Sequence, residues 1–119
     1  MALLGYNRTM AIYNTTTKQE FKDKVLKSKK IVLVDFWAQW CPPCRAMAPV
    51  LESVAKDMDS TLDVVKLDIE ASKDNNQLAS EYGVQGIPNM QVFKDGTVVD
   101  RIIGMVPRGQ IEAAVREHA

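Results

Sequence analysis

The run IVLVDFW, Ile31 to Trp37, constrains the fold of this chain more than any other stretch. Its β-branched and aromatic residues leave no polar face, so it reads as a short strand buried on both sides. Such a strand needs helices above and below it, and the flanking sequence supplies them. Met10 to Tyr13 forms a short candidate strand. Thr17 followed by Glu20 fits a capping box, opening a helix from about Lys18 to Ser28 that buries Phe21, Val25 and Leu26. Beyond the central run, Met47, Val50, Leu51 and Val54 recur at helical spacing, with Pro49 expected to bend that helix.

LDVVKLDI, 62–69, reads as another strand, and Ser72 to Tyr82 as a helix ended by Gly83. MQVFKDGTVVDRII reads as a β-hairpin turning at Lys94-Asp95-Gly96-Thr97, because Asp-Gly tolerates the positive φ such turns require. A last helix is expected to start at Pro107, a favoured first helical position. The order β-α-β-α-β-α-β-β-α demands parallel pairing through crossovers and ends in an antiparallel hairpin. An α/β fold with a mixed sheet and helices on both faces is therefore expected.

The 119 residues suffice for one core, and residues 10–119 are expected to form a single domain behind a flexible extension, 1–9. Fifteen basic residues balance fifteen acidic ones, which gives no field favouring nucleic acid or an anionic membrane surface. The apolar stretch Ala2 to Leu4 is shorter than a secretory h-region, and no run reaches membrane-spanning length. A cytoplasmic protein with neither nucleic-acid nor membrane partners is expected. In a reducing compartment a lone cysteine pair is catalytic, redox-sensing or metal-binding more often than a structural staple.

Cys41 and Cys44 are the only cysteines, set between the buried strand and a helical pattern. Open α/β sheets place their sites at such strand ends. Free N–H groups and the helix dipole there favour an anion, which lowers a thiol's pKa. Cys41, at the loop edge, is the candidate attacking sulfur. Cys44, one turn into the helix, is placed to resolve a mixed disulfide, and Pro42 and Pro43 fit the first helical turn. A structural disulfide closing so small a loop contributes only about 2 kcal/mol. Zinc wants four ligands, and beyond the cysteines only His118, read as exposed and frayed, offers a soft or imidazole donor. No metal and no bound cofactor are expected.

Asp35 is the anomaly of the central strand. An ionised carboxylate buried without a partner is costly, so its pKa should rise until it exchanges protons near neutrality. Alternation places it on the face of Leu33 and Trp37, over which the Cys44 helix could pack, while a solvated sheet edge would leave it inert. Lys66, in VVKLDI, could supply a charge beside it or be an ordinary exposed strand lysine. In GVQGIPN, 83–89, Pro88 fits either a cis proline in a specified turn or a trans proline opening a strand.

Taken together, VDFWAQWCPPCRAMAP, KLDIE, YGVQGIPN and FKDGTVVDRIIG resemble the thioredoxin family, in the family's order and without an evident gap from about Thr17 onward. The resemblance implies the thioredoxin fold: a central mixed five-stranded sheet flanked by about four helices. It implies that Cys41 attacks a substrate disulfide, that Cys44 resolves the mixed disulfide, and that Asp35 is the buried acid–base for Cys44, modulated by Lys66. Pro88 would be the cis proline facing the pair, with Ile87 offering backbone contacts to an extended substrate. Trp40, Gly86, Gly104 and Met105, with Pro42 and Pro43, would line a shallow docking surface above Trp37. Implied partners are disulfide-containing client proteins and an NADPH-dependent flavoprotein thioredoxin reductase, met by a monomer. A disulfide oxidase or isomerase would use the same residues at a higher potential, and a redox-independent binding subunit would need only the apolar surface.

Two positions depart from the family pattern. Asn89 stands where threonine commonly follows the cis proline, which bears on substrate selectivity. Pro42 stands where glycine is common, fixing φ and removing an N–H beside the thiolate. The expected consequence is a stiffer loop and a shifted redox potential. Potentials of the chain and of Pro42→Gly measured side by side check this, and equality within a few millivolts contradicts it.

Overall fold

The computed structural model describes residues 12–119. The proposed extension, 1–9, and the first residues of the strand expected from Met10 lie outside the described residues. Strand β1, Ile12–Asn14, leads to α1, Lys18–Phe21, which continues as a π-helical turn, Lys22–Leu26. Then follow β2, Ile31–Trp37; α2, Pro42–Asp57; β3, Leu62–Asp68; α3, Lys73–Glu81; β4, Asn89–Lys94; β5, Thr97–Ile103; and α4, Arg108–His118.

The strands form one five-stranded sheet in the order β1-β3-β2-β4-β5. β3 pairs in parallel with β1 and β2, while β4 runs antiparallel to β2 and to β5. The expected mixed sheet is present, with β2 at its centre. Alternation along β2 divides the core in two. Leu33 joins Met47, Leu51 and Val54 of α2 and Ile111 and Val115 of α4 on one face. Val32, Val34 and Phe36 pack with Phe21, Val25, Leu78 and Phe93 on the other. Tyr82 completes that second face, its ring centroid 5.5 Å from Phe21 and 5.4 Å from Phe93. Aromatic pairs at such spacing favour tilted and edge-on geometries, which these adopt.

The local signals act as their chemistry dictates. Thr17 and Glu20 form the reciprocal capping box, satisfying N–H groups that no helical turn could reach. The helix they open ends at Leu26, two residues short of Ser28, and its last turn is widened by five-residue steps such as Lys27 N–H to Lys22 C=O. α2 runs through Pro49 to Asp57. Ser72 caps α3, whose successor Gly83 takes φ +71°. Pro107 is the N-cap of α4 rather than its first residue, its ψ of 149° being extended.

Asp95 and Gly96 turn the hairpin with φ 52° and 78°, a type I′ geometry that matches strand twist. At Gly96 the constraint is double, since a Cβ would also meet the Leu26 carbonyl oxygen at 2.9 Å. At Gly83, also at positive φ, a Cβ would meet nothing within 4 Å. Gly83→Ala is therefore expected to cost about 1 kcal/mol for the left-handed backbone alone, and Gly96→Ala clearly more. Urea unfolding of the two variants checks the ranking, and equal losses contradict it.

Candidate functional site

β2 ends at Trp37, and α2 begins after four intervening residues, so the chain turns over the strand's end and delivers a helix N-terminus there. Cys41 is the N-cap of α2, a role a sulfur can take because it accepts a hydrogen bond. Its Sγ accepts the Cys44 backbone N–H at 3.2 Å. Pro42 and Pro43 occupy the first two helical positions, where missing N–H groups break no ladder, and both are exposed. Cys41 and Cys44 are joined as a disulfide, with Cα atoms 5.3 Å apart. Both sulfurs are enclosed, Cys41 being the more exposed by a small margin, 3% against 1%.

The floor of the site is apolar: Trp37, Ile69 and Ile87 pack against Ala38 and the two cysteines. The Ile87–Pro88 bond is cis, and the Ile87 carbonyl oxygen lies 3.9 Å from Cys41 Sγ. Pro88 is buried, and its carbonyl accepts the Gly104 N–H at 2.8 Å, which holds the loop after β5 beside it. Gly104 takes φ +87°, a left-handed backbone that glycine adopts without strain. Gly86 is exposed, with open space where a Cβ would stand. Trp40 and Met105 are about two-thirds exposed, flanking the pair with apolar surface.

Asp35, two residues before Trp37 on β2, is fully buried, with neither carboxylate oxygen hydrogen-bonded. The sheet-edge alternative is thereby excluded. Burial raises its pKa from 3.8 to about 7, a rise the nearby Lys66 charge only partly opposes. Lys66 is the register partner of Asp35 across the parallel strands, so the two side chains share a face. Lys66 does not bond the carboxylate; its Nζ stands 4.5 Å from the centre of the Trp37 ring. The indole holds the cation by its π-face while the lysine's field reaches Asp35 through space. Lys66 is half-buried, so the ordinary exposed strand lysine is not what the fold contains.

Three features of the site were not anticipated from the sequence. Ile103 is 62% exposed and extends the apolar surface next to Gly104 and Met105; strand alternation opposite the buried Ile102 could have revealed it. Trp40 Nε1–H donates to Glu70 Oε2 at 2.7 Å, a contact across thirty residues with no local signal. A shallow groove of about 330 Å³ runs from Trp40 and Ile87 past Ile69 and Val84 to Ala79 and Ser80 of α3. His118, expected to be exposed and frayed, is half-buried with Nε2 3.4 Å from Asp100 Oδ2. It lies three residues beyond Val115 on the buried stripe of α4, which carries it onto the sheet.

The arrangement can exchange a dithiol for a disulfide. A sulfur sits where the Cys44 N–H and the helix dipole stabilise a thiolate, a second sulfur is bonded to it, and a buried carboxyl on the preceding strand titrates near neutrality. The thioredoxin family model matches residues 12–117. Among curated proteins, the chain is 40% identical to a thioredoxin of Porphyra purpurea and 41% identical to thioredoxin 1 of a Nostoc species. Each match spans 86% of this chain and 92% of the relative. Among solved structures, a mutant thioredoxin from Halobacterium salinarum is similar, with a TM-score of 0.80 and 32% identity over 89% of this chain and 88% of that one.

The unpartnered carboxyl makes a thermodynamic prediction. Because its folded pKa of about 7 lies above the unfolded value near 3.8, the native state binds the proton more tightly. The resulting stability is fully present below pH 3.8 and is lost as pH rises through 7. Asp35→Asn removes that loss, so the oxidised variant should exceed the wild type in stability at pH 9, by at most on the order of 4 kcal/mol. The gap should close by pH 4. Denaturant unfolding at both pH values checks this, and a gap independent of pH contradicts it.

Proposed function

The chain belongs to the thioredoxin family, and we propose that Cys41 is its attacking sulfur and Cys44 its resolving one. The protein is a thiol–disulfide oxidoreductase that reduces protein disulfides. In the proposed cycle the Cys41 thiolate attacks one sulfur of a client disulfide. The S–S bond breaks, a client thiolate leaves, and a mixed disulfide joins client to Cys41. Cys44 then gives its proton to the Asp35 carboxylate and attacks Cys41 Sγ, releasing the second client thiolate and forming the Cys41–Cys44 disulfide. Two electrons pass to the client, whose thiolates take up two protons. Hydride from NADPH, relayed by a flavoprotein thioredoxin reductase, restores the dithiol.

The observation that carries this assignment is the Cys44 N–H donated to Cys41 Sγ, a preorganised donor for negative charge on that sulfur. Asp35 suits proton exchange with Cys44 because its pKa of about 7 lets it accept and return a proton near neutral pH. Lys66, held over Trp37, biases that exchange through its charge. A client docks as an extended segment against the Ile87 backbone beside Pro88. Trp40, Pro42, Pro43, Gly86, Gly104 and Met105 supply the shallow apolar surface around it. No described helix is long and apolar enough to cross a membrane, and the protein works as a cytoplasmic monomer.

Turnover of a protein disulfide with NADPH and thioredoxin reductase separates the two sulfurs. Cys41→Ser is expected to abolish turnover, lowering it at least about a thousandfold. Cys44→Ser should instead accumulate a covalent client adduct through Cys41, visible as a mass shift that excess dithiol reverses. Turnover retained by Cys41→Ser, or an adduct carried by Cys44 in that variant, contradicts the assignment.

A further inference from the structure

On the side of the sheet covered by α2 and α4, the edge strand β5 carries a bulge. Val92 pairs with Asp100 and Phe93 with Val98, leaving Val99 unmatched. Bulges re-aim side chains, and here Val99 packs into the core face while Asp100 meets the end of α4. Ile111, Ala114 and Val115 form the buried stripe of α4, and His118, seven residues after Ile111, continues it onto Asp100. Glu117 comes within the same radius: ligand atoms of Asp100, Glu117 and His118 all lie within 4.8 Å of one another.

We propose that Asp100, Glu117 and His118 form a binding site for a single zinc ion that clamps the end of α4 to the edge strand β5. The donor set is one imidazole and two carboxylates, which suits a divalent ion of borderline softness. Asp100 Oδ2 and His118 Nε2 stand 3.4 Å apart. That matches the edge of a tetrahedron whose metal bonds are about 2.1 Å, roughly 3.4 Å. Asp100 Oδ1 accepts the Arg101 backbone N–H at 2.9 Å, which fixes the carboxylate and turns Oδ2 toward the histidine.

The local charge also favours a cation. Two carboxylates converge on one imidazole, and Glu117 has no basic partner within 4 Å among the described residues. The final turn of α4 adds the partial negative charge of its free carbonyls. Binding takes the neutral imidazole through Nε2, leaves oxidation states unchanged, and has water in the fourth position. The cysteines contribute nothing to this site, whereas the sequence makes them the nucleus of any zinc centre and leaves that centre short of ligands.

Calorimetric titration of the full chain with zinc tests the proposal, after treatment with a chelator and with Cys41 and Cys44 held in their disulfide so that free thiols do not compete. One saturable equivalent is expected. Its affinity should fall at least about tenfold in Glu117→Gln and further in His118→Gln. Glu117 is exposed, so that variant keeps the packing even where the His118 change loosens α4. Protein-disulfide turnover of both variants should match the parent. Absence of a saturable heat, or saturation unchanged in both variants, overturns the site. Affinity retained by Glu117→Gln alone reduces the cluster to a His118–Asp100 ion pair and overturns it equally.

Discussion

Enclosure of β2 between two layers of helix is the constraint from which the site follows. Every residue from Ile31 to Phe36 is buried, and the strand lies third in a sheet of five. A strand packed in that way meets solvent only at its ends. At its C-terminal end the chain turns after Trp37 and starts α2, so the helix's N-terminus, with the Cys44 N–H on Cys41 Sγ, stands where the buried core stops. The sulfur pair is thus held at the end of the enclosed central strand, while the segments around it, carrying Ile87 and Gly104, are loops joined by the Gly104 N–H to Pro88 C=O hydrogen bond.

The same enclosure sets the proton chemistry. Asp35 occupies the position on β2 where the alternation of Ile31 and Leu33 would place another apolar residue facing α2. The carboxyl instead leaves both oxygens without a partner and titrates near 7, so the fold gives up stability above neutral pH to keep an ionisable group in its core. Lys66 moderates this without forming an ion pair. Its ammonium rests on the face of Trp37, close enough to lower the carboxyl's pKa and too far to lock it in the charged form.

Much of this was legible in the sequence because the signals are local. The capping box at Thr17, the Asp95-Gly96 turn and the unbroken run of β2 each specify their structure through neighbouring residues, and each is present. The prolines after Cys41 mark the first turn of α2 for the same reason. What the sequence hides depends on distance in the chain. The Trp40–Glu70 hydrogen bond, the perch of Lys66 on Trp37 and the groove to α3 arise only when β2 and β3 lie side by side. Proximity to the terminus suggests fraying for His118, although its place on the stripe of Ile111 and Val115 fixes it against β5. The widening of the first helix's last turn, marked by the Lys27 to Lys22 backbone bond, is not foretold by propensity.

The account stands on Cys41 and Cys44 being a reversible couple poised to donate electrons. The most direct test is the midpoint potential of the pair, measured by equilibrating the protein in defined dithiol/disulfide buffers and trapping free thiols. The account predicts a two-electron couple close to the potential characteristic of thioredoxins, about −270 mV, a value taken from that family rather than derived from this structure. A potential above about −200 mV would contradict it, assigning the pair to disulfide donation or isomerisation instead. Absence of any reversible couple would leave only the apolar surface around Trp40 and Ile87 as the working part of the molecule.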